Sequence, residues 1–188
     1  SSFQPGPKVA VVQHDFPQYV DERALRTSPD IVFHSYYALG EMVAKEKPDV
    51  IVFPETVMTG YINDEFIQAT PAQLEEIRQR RFPSWDRSDI LSLQSISRNL
   101  RNDFQTLSTS SGVPIVLGCS AMEWKPTALP PRAEGFNSSY LLVPGRDRPV
   151  ARYDKNHLVL FGEYVPFRYT YHGLYQWLNS LTPCGQQG

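Results

Sequence analysis

Three short, β-branched apolar runs divide the first two-thirds of the chain, and between them the apolar residues fall at helical spacing. KVAVVQ (residues 8–13), DVIVF (49–53) and VPIVLGCSA (113–121) are continuous rather than alternating, which predicts strands buried on both faces. Ser28-Pro29-Asp30 puts a capping side chain and a proline where a helix begins. Val32, Tyr36, Leu39 and Val43 then form the stripe of an amphipathic helix that ends before Pro48. Ser88-Asp89 opens a second helix, with a stripe of Leu93, Ile96, Leu100, Phe104 and Leu107 and a stop near Gly112.

LEEIRQRRF (74–82) also reads as a helix, its acidic and basic residues pairing on a solvated face. The proline-rich KPTALPPRAEG (125–135) predicts an exposed loop. FNSSYLLV (136–143) and PVARYD (149–154) flank PGRD, a hairpin signal, and residues 169–181 form a last helix. Strand, helix, strand, helix, strand and hairpin is the order of an α/β domain with helices layered on a mixed sheet. Ligands of such sheets gather beyond the carboxyl ends of strands. Glu55 directly follows the second strand, and Lys155 follows the second strand of the hairpin.

Composition narrows this picture. At 188 residues and 41% hydrophobic content the chain supports one core and one domain, spanning 1–188. A net charge of −2 gives no general attraction to nucleic acid or anionic lipid. No apolar run is long enough to cross a bilayer, and SSFQPGPK lacks the apolar core of a signal peptide, so any anchor is expected outside this sequence. Cys119 and Cys184 are too few for a disulfide framework and match no zinc spacing, which leaves the redox compartment open.

The chemistry concentrates in RYDKNHLVLFGEYVPFR (152–168), where Lys155, His157 and Glu163 stand among apolar and aromatic residues. An acid at the end of DVIVFPE is costly to bury unless paired, and Lys155 is its natural partner. A carboxylate, an ammonium and a nucleophile make an acyl-transfer site: the acid takes the nucleophile's proton and the ammonium meets the developing oxyanion. A structural ion pair is the plain alternative.

FPET (53–56) with Gly60-Tyr61, and YDKNHL (153–158), resemble the glutamate and lysine motifs of the nitrilase (carbon–nitrogen hydrolase) superfamily. FGEYVPFR (161–168), together with FNSSYLL (136–142), is most similar to the apolipoprotein N-acyltransferase branch. The resemblance implies an α-β-β-α sandwich and catalysis without a cofactor, with Glu55 as base, Lys155 as the lysine and Glu163 as a further acidic residue. It also implies a cysteine thioester, a phospholipid acyl donor and a lipoprotein N-terminal amine as acceptor, at the outer face of an inner membrane. Tyr61, His157 and Tyr164 fall where side chains line the pocket, although packing or loop-fixing roles suit each of them. Oligomers also occur in the superfamily.

The chain departs from the pattern in two places. Leu160 replaces the branch's usual proline. The family's nucleophile is a cysteine at the end of an apolar strand, whereas Cys184 sits in LTPCGQQG and Cys119 lies inside a core run. The expectation is that the sequence stops before the nucleophile strand. Two rival readings stay open: an amidase or carbamoyl hydrolase acting on a small amide, and a catalytically inactive homologue or binding module.

Overall fold

Each apolar run becomes a strand of one mixed sheet. The computed structural model describes residues 5–14, 29–55, 57, 60–129 and 131–155. Its elements are β1 (Val9–Val11), α1 (Pro29–Ala44), β2 (Val50–Val52), α2 (Asp64–Ile67), α3 (Pro71–Arg81), α4 (Arg87–Ser111), β3 (Ile115–Lys125), β4 (Arg132–Leu142) and β5 (Ala151–Asp154). Spatial order follows sequence order, with β1, β2 and β3 parallel and β3, β4 and β5 antiparallel. This is the α/β layering that the sequence predicts. Ser28 and the helix expected over 169–181 lie outside the described residues.

One face of the sheet carries the main core. Ile51, Ile115, Leu117, Cys119 and Ala121, with Tyr140 and Leu142 opposite them on β4, are buried against Tyr36 and Ala44 of α1 and Leu100, Phe104 and Leu107 of α4. Phe104 is the hub, with edge-on contacts to Phe33, Tyr37 and Phe53. The α1 stripe read from the sequence is the packed face: Tyr36 is buried, and Val32, Leu39 and Val43 lean on the cluster. A second cluster joins Phe66, Leu74, Ile77, Ile90 and Leu93 to Met122.

Four readings change. KVAVVQ is not buried on both faces: among the described residues β1 pairs with β2 alone, and Val11, at 69% exposure, points away from the helix layer while Val12 is buried. On α4 the exposed residue is Ile96 and the buried one is Ser97, because Ser97 lies beneath the backbone at Gly60 and its hydroxyl accepts the Tyr61 N–H at 2.9 Å. A small polar residue belongs where chain passes this closely over a helix. The helix also begins one position earlier than Ser88-Asp89 suggests, capped by Asp86 in a reciprocal box with Asp89, and it ends at Gly112 in the left-handed region. Finally, the loop expected at 125–135 is shorter than predicted, since Lys125 and Arg132 through Gly135 are strand. Pro126 and Pro131 lie outside the ladder, and Arg132 through Gly135 pair with β3 up to Lys125.

The outward face of α3 holds Arg78 against Glu75 and Arg80 against Glu76, as its charge pattern predicts. None of the described helices is long and apolar enough to cross a membrane. Replacing Phe104 with alanine removes the ring shared by α1, β2 and α4; urea unfolding is expected to show a loss of about 3–5 kcal/mol, against less than about 1 kcal/mol for Leu91→Ala on the exposed side of the same helix.

Candidate active site

Past Phe53 the chain leaves the ladder of β2 and crosses closely over β3. The crossing is so tight that a Cβ at Gly118 would lie 2.0 Å from the Pro54 carbonyl oxygen and 2.5 Å from that of Glu55. Only glycine fits there. Phe53 N–H donates to Val116 O at 2.9 Å before the crossing, and Val57 N–H donates to Gly118 O at 3.3 Å after it. The backbone of Glu55 is therefore pinned from both sides. Beyond it, Tyr61 bridges to Ser120 in parallel fashion.

The antiparallel half of the sheet supplies the partners of Glu55. Asn137 stands opposite Ser120 on β4, and its amide Nδ2 donates to Glu55 Oε1 at 2.7 Å. Lys155 is the first residue past β5, and its backbone N–H donates to Asn137 O at 2.8 Å. From there its ammonium reaches the same Oε1, also at 2.7 Å. The two charges that sequence reasoning set together, 100 positions apart, thus share an oxygen. The pair is not fully buried: the Glu55 side chain is 58% exposed and that of Lys155 30%. A polar mouth opening on solvent carries less desolvation cost than a buried pair, and it admits a reactant from outside.

The remaining candidates divide. Tyr61 packs its ring edge-on against Phe66 at 5.0 Å and is half-buried, which pushes its phenol above the ordinary value. Glu163, His157, Tyr164 and Cys184 lie outside the described residues. Cys119 is the buried core thiol that its apolar run predicts: its Sγ contacts Gly60 O at 3.3 Å, and burial raises its pKa to about 12. Among the described residues no group of three or more His, Cys, Asp or Glu side chains is placed to hold a metal ion. Asn137 and Gly118 were not among the sequence candidates. Asn137 is visible in the sequence only as part of FNSSYLL, and nothing in the local sequence around Gly118 signals the crossing above it.

A carboxylate at the end of a parallel strand, an amide on its oxygen and a lysine entering from an antiparallel hairpin give the motif positions a common location. The family model for carbon-nitrogen hydrolases matches residues 8–183, nearly the whole chain. The chain belongs to the carbon–nitrogen hydrolase family. Among solved structures it is similar to the amidase from Nesterenkonia sp. AN1, at 12% identity over 82% of this chain and 46% of that one, with a TM-score of 0.41. It is also similar to a carbon-nitrogen hydrolase from Helicobacter pylori G27, at 15% identity over 81% of this chain and 40% of that one, with a TM-score of 0.40. The chain spans less than half the length of either. Among curated proteins none matches.

The burial of Cys119 has a direct consequence. Burial keeps the thiol protonated at pH 8 and closes its sulfur to reagents in solution. Iodoacetamide is therefore expected to leave the Cys119 peptide unmodified in the native protein and to label it after denaturation. Native labelling at the rate of an open thiol would contradict the described packing.

Proposed function

We propose that Glu55 is the proton acceptor and Lys155 the oxyanion-binding ammonium of a site that acts on carbon–nitrogen bonds through a cysteine thioester. The observation that carries this reading is the single carboxylate oxygen held by the Lys155 ammonium and the Asn137 amide. Two donors on one oxygen orient the carboxylate, and both contacts spare Oε2 for a reacting thiol.

The steps follow from that arrangement. A thiol gives its proton to Glu55 while its sulfur attacks the carbonyl carbon, and the C=O electron pair moves to oxygen beside Lys155. Collapse of this intermediate breaks the carbon–nitrogen bond, and the departing amine takes the proton from Glu55. A second acceptor then attacks the thioester, again losing its proton to Glu55, and the thiol is released. Cys119 cannot serve as this nucleophile, since it is buried and held against Gly60. Glu163 is proposed as a further acidic group near the thioester, with Tyr61, His157 and Tyr164 as pocket-lining residues.

With water as the acceptor the reaction is hydrolysis of a small amide, the reading that the family description supports. A second reading has a specific observation in its favour. The 152–168 block and FNSSYLL resemble the apolipoprotein N-acyltransferases, in which a phospholipid is the acyl donor and a lipoprotein amine the acceptor at the outer face of an inner membrane. In transfer the first step breaks the ester C–O bond of the donor, the departing lysophospholipid alcohol taking the proton from Glu55, and the C–N bond forms when the amine attacks the thioester and gives its proton by way of Glu55 to the leaving thiolate. Both readings use the same Glu55 and Lys155.

In the full-length protein, Glu55→Gln and Lys155→Met are each expected to lower thioester formation at least about 100-fold while leaving thermal unfolding cooperative. Retained acylation in both variants would reject the assigned roles. Offering acetamide in one reaction, and phospholipid with a lipidated N-terminal peptide in another, separates the readings. Ammonia release marks hydrolysis and an N-acylated peptide marks transfer.

A further inference from the structure

We infer that Ser138 and Asp154 are positioning residues for Lys155, forming a latch across the last β4–β5 pair that sets the ammonium onto Glu55. In the register of these strands Ser138 faces Asp154, and Lys155 is the next residue beyond. Ser138 Oγ donates to Asp154 Oδ1 at 2.6 Å. Arg152, two residues back on β5, clamps both oxygens of the same carboxylate, Nε to Oδ1 at 2.7 Å and Nη2 to Oδ2 at 2.8 Å. Arg152 is itself held by Glu123 of β3 at 2.6 Å and lies over the Phe136 ring, 5.4 Å from its centroid. The Arg152 clamp, and secondarily Ser138, hold the Asp154 carboxyl below its ordinary pKa against the effect of burial.

Strand alternation shows why this network acts on the site without touching it. Ser138 and Asp154 point to the helix-covered face, while their neighbours Asn137 and Lys155 point to the other. Each latch residue is thus bonded directly in sequence to one donor of Glu55. A strand end ordinarily frays, and a lysine side chain has four rotatable bonds to lose when it is fixed. Closing the Ser138–Asp154 pair holds the backbone at the point from which Lys155 departs, and its N–H bond to Asn137 O at 2.8 Å keeps the two donors together. A network that merely joined strands could sit anywhere along the hairpin; this one ends beside both site residues.

The latch matters for chemistry only if Lys155 is the functional ammonium of the proposed reaction, but it is measurable without turnover. Correlation NMR of lysine ammonium groups on the intact chain, with Lys155 assigned through Lys155→Arg, reads the ammonium directly. Lys125, paired with Glu134, is the internal reference. Ser138→Ala and Asp154→Asn are expected to speed exchange of the Lys155 ammonium protons with water by about five-fold or more, the population change that loss of one ordinary hydrogen bond produces. Ser138→Thr, which keeps the hydroxyl, should restore the wild-type signal, and Lys125 should not change in any variant. An unchanged Lys155 signal in folded Ser138→Ala or Asp154→Asn protein overturns the inference. So does unfolding of both, which would make the network a general support of the sheet. Failure of acyl transfer in the earlier variants leaves this result untouched, and the reverse also holds.

Discussion

The Glu55 carboxylate accepts two donors on one oxygen, and each donor arrives from a different antiparallel strand. That shared oxygen depends on the order and sense of the strands. β2 delivers Glu55 from its carboxyl end, and because two successive antiparallel pairings give β5 the same sense as β2, Lys155 leaves β5 at the same end of the sheet. β4, running the opposite way beside β5, places Asn137 within reach of the same carboxylate. The pair is only partly covered, so its Coulomb attraction is moderated by water and its value lies chiefly in orientation. Geometry therefore has to be supplied by the scaffold rather than by the attraction itself.

The scaffold supplies it twice. On the Glu55 side, the absent side chain at Gly118 lets the Pro54–Glu55 backbone lie against β3, while Phe53 and Val57 are hydrogen-bonded on either flank. Below this crossing the core is dense with aromatic rings: Phe53 contacts both Tyr36 and Phe104. On the Lys155 side, the Ser138–Asp154–Arg152 network closes the end of the hairpin on the face away from the site. Rigid packing and polar closure thus hold opposite halves of one small constellation.

How much of this the sequence revealed depends on the range of each interaction. Helix α1 was legible because Val32, Tyr36, Leu39 and Val43 follow a local period. The Ile96 and Ser97 exchange on α4 was not, because what decides it is backbone at Gly60, far away in sequence. Val11 misled for a similar reason: a continuous apolar run records apolarity, not whether a second layer covers both faces. Pro126 and Pro131 correctly marked a tip but overstated its length, since proline forbids only its own ladder bond. Glu55 and Lys155 were legible as motif residues at strand ends. Gly118 was hidden because its reason for being glycine is a crossing strand end.

Proximity of the two charges is the claim on which the site, its chemistry and the latch all rest. A zero-length carbodiimide cross-link, mapped by mass spectrometry on the native full-length chain, measures it directly. An amide joining the Glu55 and Lys155 peptides, formed alongside the Lys125–Glu134 link, is the predicted product. Recovery of the Lys125–Glu134 link with no Glu55–Lys155 product would contradict the account.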